Sequence, residues 1–273
     1  MLGLVLVLAL LPGRPEPPPD TLEFDTTARR GIGRVYNMEF ESAEEDFRSL
    51  IRLAPQDPAG YFFMAMVDWW RILIDMENEQ YDERFFDALD GVVDMCDSLL
   101  ERDPSDVNAL FFKGGAIGFK GRLKFHRGDY LAAANAGRKA LPLVQEAFTL
   151  APNNYDILLG TGIYNYYAEV VPNEFPFVKP LLLFIPPGDK QKGLQELTLA
   201  SDRGRFASIE ASYFLMQIYT FYEKDFGKAL LVARRLHERF PANMVFHRYV
   251  GRSYSSLGNW PAVRESFAEV LEA

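Results

Sequence analysis

Cysteine is almost missing from this chain: Cys96 stands alone among 273 residues. That excludes an intramolecular disulfide and a zinc site built from four cysteines. Cys96 also lies close to Asp94 and Asp97, whose charge opposes thiolate formation and makes it a poor nucleophile. Histidine is scarce too. His126, His237 and His247 show no H-E-x-x-H spacing, so no metal site is expected. No G-x-S-x-G elbow occurs, and the glycines at Gly114, Gly115, Gly118 and Gly121 lack both a preceding strand pattern and a following G-K-[ST]. Small residues for close helix packing explain them better than a phosphate loop. These absences together point to a protein with no cofactor, no metal and no enzymatic activity.

Positive charge is in deficit, with a net −9 that argues against nucleic acid as a partner. The deficit is uneven. Residues 20–106 carry 22 acids against 8 bases, a balance of −14, whereas residues 107–273 carry 15 acids against 20 bases, a balance of +5. The densest basic group is Lys113, Lys120, Arg122, Lys124, His126 and Arg127. Its spacing spreads around a helix and its end, which reads either as a solvated terminus favoured by the helix dipole or as a patch for an acidic partner or anionic lipid.

Long apolar runs are also lacking. Met1–Leu11 is almost unbroken but too short to span a bilayer, and Pro12 to Pro19 then end any helix. Residues 1–19 therefore read as a signal-peptide-like run with a proline-rich linker, although basic residues before the run and a small-x-small cleavage site are missing. Export to a periplasmic or membrane-associated location is the expectation, and an uncleaved cytoplasmic chain is the alternative. A second apolar stretch, Phe175–Ile185, lies in an insert at 172–188 that contains five prolines. It is too short and too broken to cross a membrane, and is expected to fold back as a lid or plug, to touch a partner or membrane, or to cap a gap between helices.

What the chain has is helical periodicity. His247, Val250, Gly251, Tyr254, Trp260, Val263, Phe267 and Val270 fall at offsets 0, 3, 4, 7, 13, 16, 20 and 23. In residues 24–57, Gly31 holds the equivalent of Gly251, and Phe40, Ala43, Phe47 and Leu50 line a second helix that Pro55 ends. Similar stops return at Pro104, Pro152, Gly204 and Pro241. Leu110 with Gly114, and Leu158 with Gly162, repeat the apolar-x-x-x-Gly spacing, while Tyr213 is followed by Gln217 where a small residue is expected. Helices are predicted near 25–37, 41–53, 59–75, 80–102, 107–127, 129–150, 155–170, 189–203, 207–222, 226–239, 243–257 and 260–272, with Asp129 and Asp189 as N-caps.

This pattern resembles the tetratricopeptide repeat, most closely in the two terminal units. The resemblance implies an all-α, right-handed helical solenoid of about six stacked antiparallel hairpins over residues 20–273. It further implies that the first helix of each hairpin lines a concave surface on which a protein or peptide partner lies. Aligned on the crossing residue, that surface holds Phe62, Trp69, Trp70, Phe111, Phe119, Tyr166, Tyr167, Phe214, Phe221 and Tyr222, with Arg248 and Arg252 at one end. The two arginines are four apart and share a helix face, a spacing suited to gripping a carboxylate. The aromatic stripe has two readings, an open groove or core packing. Three functions stay open: a non-enzymatic scaffold binding a partner segment, a pocket for a small apolar or aromatic ligand closed by the insert, and a structural module of an envelope assembly. No polar capping helix follows the final repeat, so end-to-end self-association or truncation of a longer array is expected.

Overall fold

Each helix is started and stopped by residues within a few positions of its ends. A computed structural model describes residues 21–174, 176 and 186–272. The apolar run at 1–19 and the insert residues 175 and 177–185 lie outside the described residues. In chain order the helices are α1 (Thr21–Tyr36), α2 (Phe40–Leu53), α3 (Pro58–Ile74), α4 (Asp82–Arg102), α5 (Val107–His126), α6 (Tyr130–Leu150), α7 (Ile157–Glu174), α8 (Lys190–Arg203), α9 (Ser208–Phe221), α10 (Phe226–Arg239), α11 (Met244–Ser256) and α12 (Trp260–Glu272). No strand occurs among the described residues.

Asp57, Asp106, Asp129, Asp189, Asp225 and Asn243 each cap the following helix by accepting a hydrogen bond from a backbone N–H in its first turn. The donors would otherwise lack partners, and a cap of this kind contributes about 1 kcal/mol. Gly128, at φ 83°, lets the chain reverse between α5 and α6, and Gly258, at φ 73°, does the same between α11 and α12. The start of α1 and the end of α7 differ most from the periodicity. The first helix starts earlier, with Glu23 in its first turn complementing the dipole. The seventh runs on through Pro172, which sits so near its end that few ladder bonds are lost.

Consecutive helices pack neighbour to neighbour as an all-α solenoid. Glycine permits the close approach within hairpins. A Cβ on Gly31 would lie 2.5 Å from the Phe47 ring, on Gly114 2.7 Å from Val144, on Gly162 2.9 Å from Leu197, and on Gly251 2.9 Å from the Phe267 ring. Gln217 behaves differently. Its amide turns to the inner face of the solenoid, where it meets Arg122 of α5 and Tyr249 of α11.

The solenoid curves until its ends meet. Tyr36 at the end of α1 donates to Glu210 of α9 at 2.8 Å, and Asn243 donates to the Tyr36 carbonyl at 2.7 Å while capping α11. Arg205 pairs with Asp25, and Asn37 accepts from the backbone of Ala242 at 3.4 Å. One continuous core therefore runs from α1 to α5 and on into α9, α10 and α11.

Candidate functional site

Closure of the solenoid decides the state of the inner face. Trp69, Trp70 and Tyr166 are fully buried, and Phe119 and Phe214 are nearly so. Trp70 sits at the centre of the seam, with Tyr36, Tyr213 and Phe246 rings at 4.9, 5.2 and 5.5 Å. Phe62 packs on Phe112 and Phe119, Phe111 on Phe112, and Tyr167 on Tyr166 and Tyr222. Phe62, Phe111, Tyr167 and Tyr222 are half-buried, so of the two readings of the aromatic stripe core packing holds for most of it. The physical reason is the tight curvature. Large rings fill the space that a wider superhelix leaves to a ligand.

A polar cluster lies within this packing. Arg122 of α5 donates to Glu210 at 3.0 Å and to Gln217 at 2.9 Å, and its guanidinium stands over the rings of Phe214, Trp69 and Tyr213 at 4.1, 4.8 and 5.6 Å. Tyr36 takes the second Glu210 oxygen, and the Gln217 amide donates to Tyr213 at 3.1 Å and to Tyr249 at 3.4 Å. Burial pushes the Glu210 carboxyl above its ordinary range, while Arg122 draws it back. Burial, and then the charge of Glu210, push the Tyr36 hydroxyl well up. Both carboxylate oxygens are engaged by the protein itself. The cluster thus clamps α1, α5 and α9 together, and a buried charge satisfied this way resists removal of any one member.

The predicted residues that reach solvent gather at the α9–α11 edge. Phe221 is 42% exposed, and Arg248 and Arg252 are exposed on α11. The Arg252 guanidinium stands 4.6 Å from the Phe221 ring. Among the described residues neither arginine makes an ion pair. Tyr222, half-buried, packs instead on the Tyr166 and Tyr167 rings at 6.1 and 5.4 Å, and Tyr249 connects the edge to the inner cluster through its ring contact with Phe221 at 5.9 Å.

The basic group on α5 is consumed elsewhere. Lys113 pairs with Asp97, Lys120 with Asp90, and Arg127 with Asp82 at 2.7 Å, so α5 answers the acids of α4. The charge asymmetry along the chain is thereby partly cancelled in space. Cys96 is buried, and burial followed by the charges of Asp106 and Asp97 pushes its thiol up to about 12.

Two clefts lie away from the inner face. One, of about 620 Å³, opens between α1 and α2 near Thr26, Arg30 and Arg52. The other, of about 360 Å³, opens between α6, α7 and α8 near Thr161, Asn165 and Glu196. The sequence reading singled out none of Tyr36, Glu210, Thr161 and Glu196. Glu196 carried a usable signal, since Gly193, Glu196, Leu197 and Ala200 form the buried stripe of α8 and only one of them is charged. Away from the seam, Leu22 of α1 and Trp260 of α12 are 73% and 65% exposed. No family model matches the chain, and no curated protein matches it.

Proposed function

We propose that this protein is a non-enzymatic, tetratricopeptide-like scaffold that binds an acidic partner segment along its α9–α11 edge. The observation that carries the reading is the pair of exposed arginines, Arg248 and Arg252, one helical turn apart, with Arg252 against the exposed Phe221 ring and neither engaged by a carboxylate among the described residues. A guanidinium held against an aromatic face keeps its outer donors free, and two of them at this spacing suit the bidentate capture of a peptide carboxylate. Export of the scaffold rests on the apolar run Met1–Leu11 alone.

Fluorescence anisotropy with labelled peptides tests this. Peptides ending in Asp or Glu with a free carboxylate are expected to bind in a salt-dependent manner, and their amidated versions to bind less tightly. Replacing Arg248 and Arg252 together by Ala is expected to weaken binding at least about tenfold, as the loss of a charged hydrogen-bonding pair implies. Binding that ignores both the amidation and the double variant overturns the reading.

A further inference from the structure

We propose that the cleft between α6, α7 and α8 binds a primary ammonium group carried on a short alkyl chain. The carboxyl side chain of Glu196 sits in a residue only 7% exposed. Its Oε2 accepts from the Asn165 side chain at 2.8 Å. The ion-pair partner of its Oε1 is Lys192, whose Nζ stays 3.8 Å away on a side chain 58% exposed. That distance is too long for a hydrogen bond, so the second oxygen of a mostly buried carboxylate is left to the cleft without a donor among the described residues.

Thr161 supplies the second, independent observation. It is 6% exposed, lines the same cleft, and its hydroxyl oxygen is buried without a hydrogen-bond partner. Threonines elsewhere in these helices, such as Thr149, Thr198 and Thr220, bond back to the carbonyl four residues earlier. Thr161 does not. An unsatisfied buried hydroxyl is costly, and in native proteins such groups commonly meet something the protein alone does not provide.

The wall opposite is Gln145 and Phe148 of α6. The cleft volume of about 360 Å³ falls in the range of small-molecule sites. An alkylammonium ion has three donors and no acceptor. Glu196 Oε1 and the Gln145 amide oxygen are acceptors for it, Thr161 Oγ1 becomes a third when its side chain turns toward the cleft, and Phe148 gives its chain an apolar surface. A carboxylate or phosphate would face the negative charge of Glu196 and is disfavoured. The shared chemistry fits a free small amine or the side chain of a lysine from a partner.

Titration of the full chain with n-pentylamine, followed by amide NMR, is the test, with n-pentanol as the neutral control and Nα-acetyl-lysine methylamide as the lysine analogue. Saturable shifts at Thr161, Asn165 and Glu196 with the amine and not with the alcohol are expected. Glu196→Gln is expected to weaken binding at least about tenfold, and Thr161→Val several-fold. Lys192→Ala is expected to tighten it, because a competing cation is gone and the exposed substitution leaves the fold intact. Tight binding of the lysine analogue identifies a partner's lysine as the source, whereas its rejection with the amine retained identifies a free amine. Absence of shifts with every probe overturns the proposal, as does amine binding that neither Glu196→Gln nor Lys192→Ala alters.

Discussion

Two carboxylates in this molecule are buried to nearly the same degree and live in opposite circumstances. Glu210 is 6% exposed at the seam where the solenoid closes, and Glu196 is 7% exposed in the cleft between α6 and α8. At the seam both oxygens are held, by Arg122 at 3.0 Å and Tyr36 at 2.8 Å. In the cleft one oxygen is held by Asn165, and the other faces a lysine 3.8 Å away that remains largely in water. Burial alone therefore does not separate a structural charge from an available one. What separates them is whether the surrounding helices supply every partner, and only the seam does so.

Breaking the seam gives the largest expected effect. Arg122→Leu leaves Glu210 buried without its counter-ion, and loss of one partner from such a pair costs about 3–5 kcal/mol. Chemical denaturation at pH 7 measures it. The variant also carries a pH signature. Burial already raises the Glu210 pKa, and removal of Arg122 removes the charge that opposes the rise. The folded state then holds a proton more tightly than the unfolded state, so stability is lost as pH rises through the window above the ordinary carboxyl value of 4.5 and regained as pH falls back toward it. A variant whose stability is flat between pH 7 and pH 5 shows that Glu210 finds another cation or reaches water.

The helices were legible in the sequence because their signals are local. The proline stops, the Asp caps, the apolar-x-x-x-Gly spacings at Gly114 and Gly162 and the crossing glycines Gly31 and Gly251 each act within one hairpin, and each marks a helix end or crossing in the structure. Curvature is not local. The hydrogen bond from Tyr36 to Glu210 spans 174 positions and that from Asn243 to Tyr36 spans 207, and no single hairpin encodes either. Aromatic residues such as Trp70 and Phe119 read equally well as groove or core until that closure is known. Arg248, Arg252 and Phe221 kept their exposure because they lie on the edge beyond the seam. Thr161 gave no signal at all, since a threonine between Gly160 and Gly162 looks like one more small residue.

A smaller effect tests how rigid the cleft is. Gly193 of α8 stands so close to α7 that a Cβ there would lie 2.5 Å from the Tyr166 nitrogen and 2.8 Å from the Gly162 carbonyl. Those atoms are backbone and cannot rotate away. Gly193→Ala is expected to cost about 1–3 kcal/mol by overpacking, despite the better helix propensity of alanine. A stabilised variant would mean that α7 and α8 separate easily, and the geometry around Glu196 would then be adjustable instead of fixed.

The smallest effect has the opposite sign and sharpens the comparison most. Thr161→Val keeps the shape of the side chain and removes a hydroxyl that has no partner. Around Glu210 such a change is harmful, because Tyr36, Arg122 and Gln217 are all bonded there. In the cleft the empty protein loses nothing it was using, so Thr161→Val is expected to raise stability by about 1 kcal/mol, the low end of what an unsatisfied buried group costs. Calorimetry of the purified chain decides it. A fall in melting temperature would mean that the hydroxyl is already satisfied by water, and Glu196 would then join Glu210 as a charge the fold completes for itself.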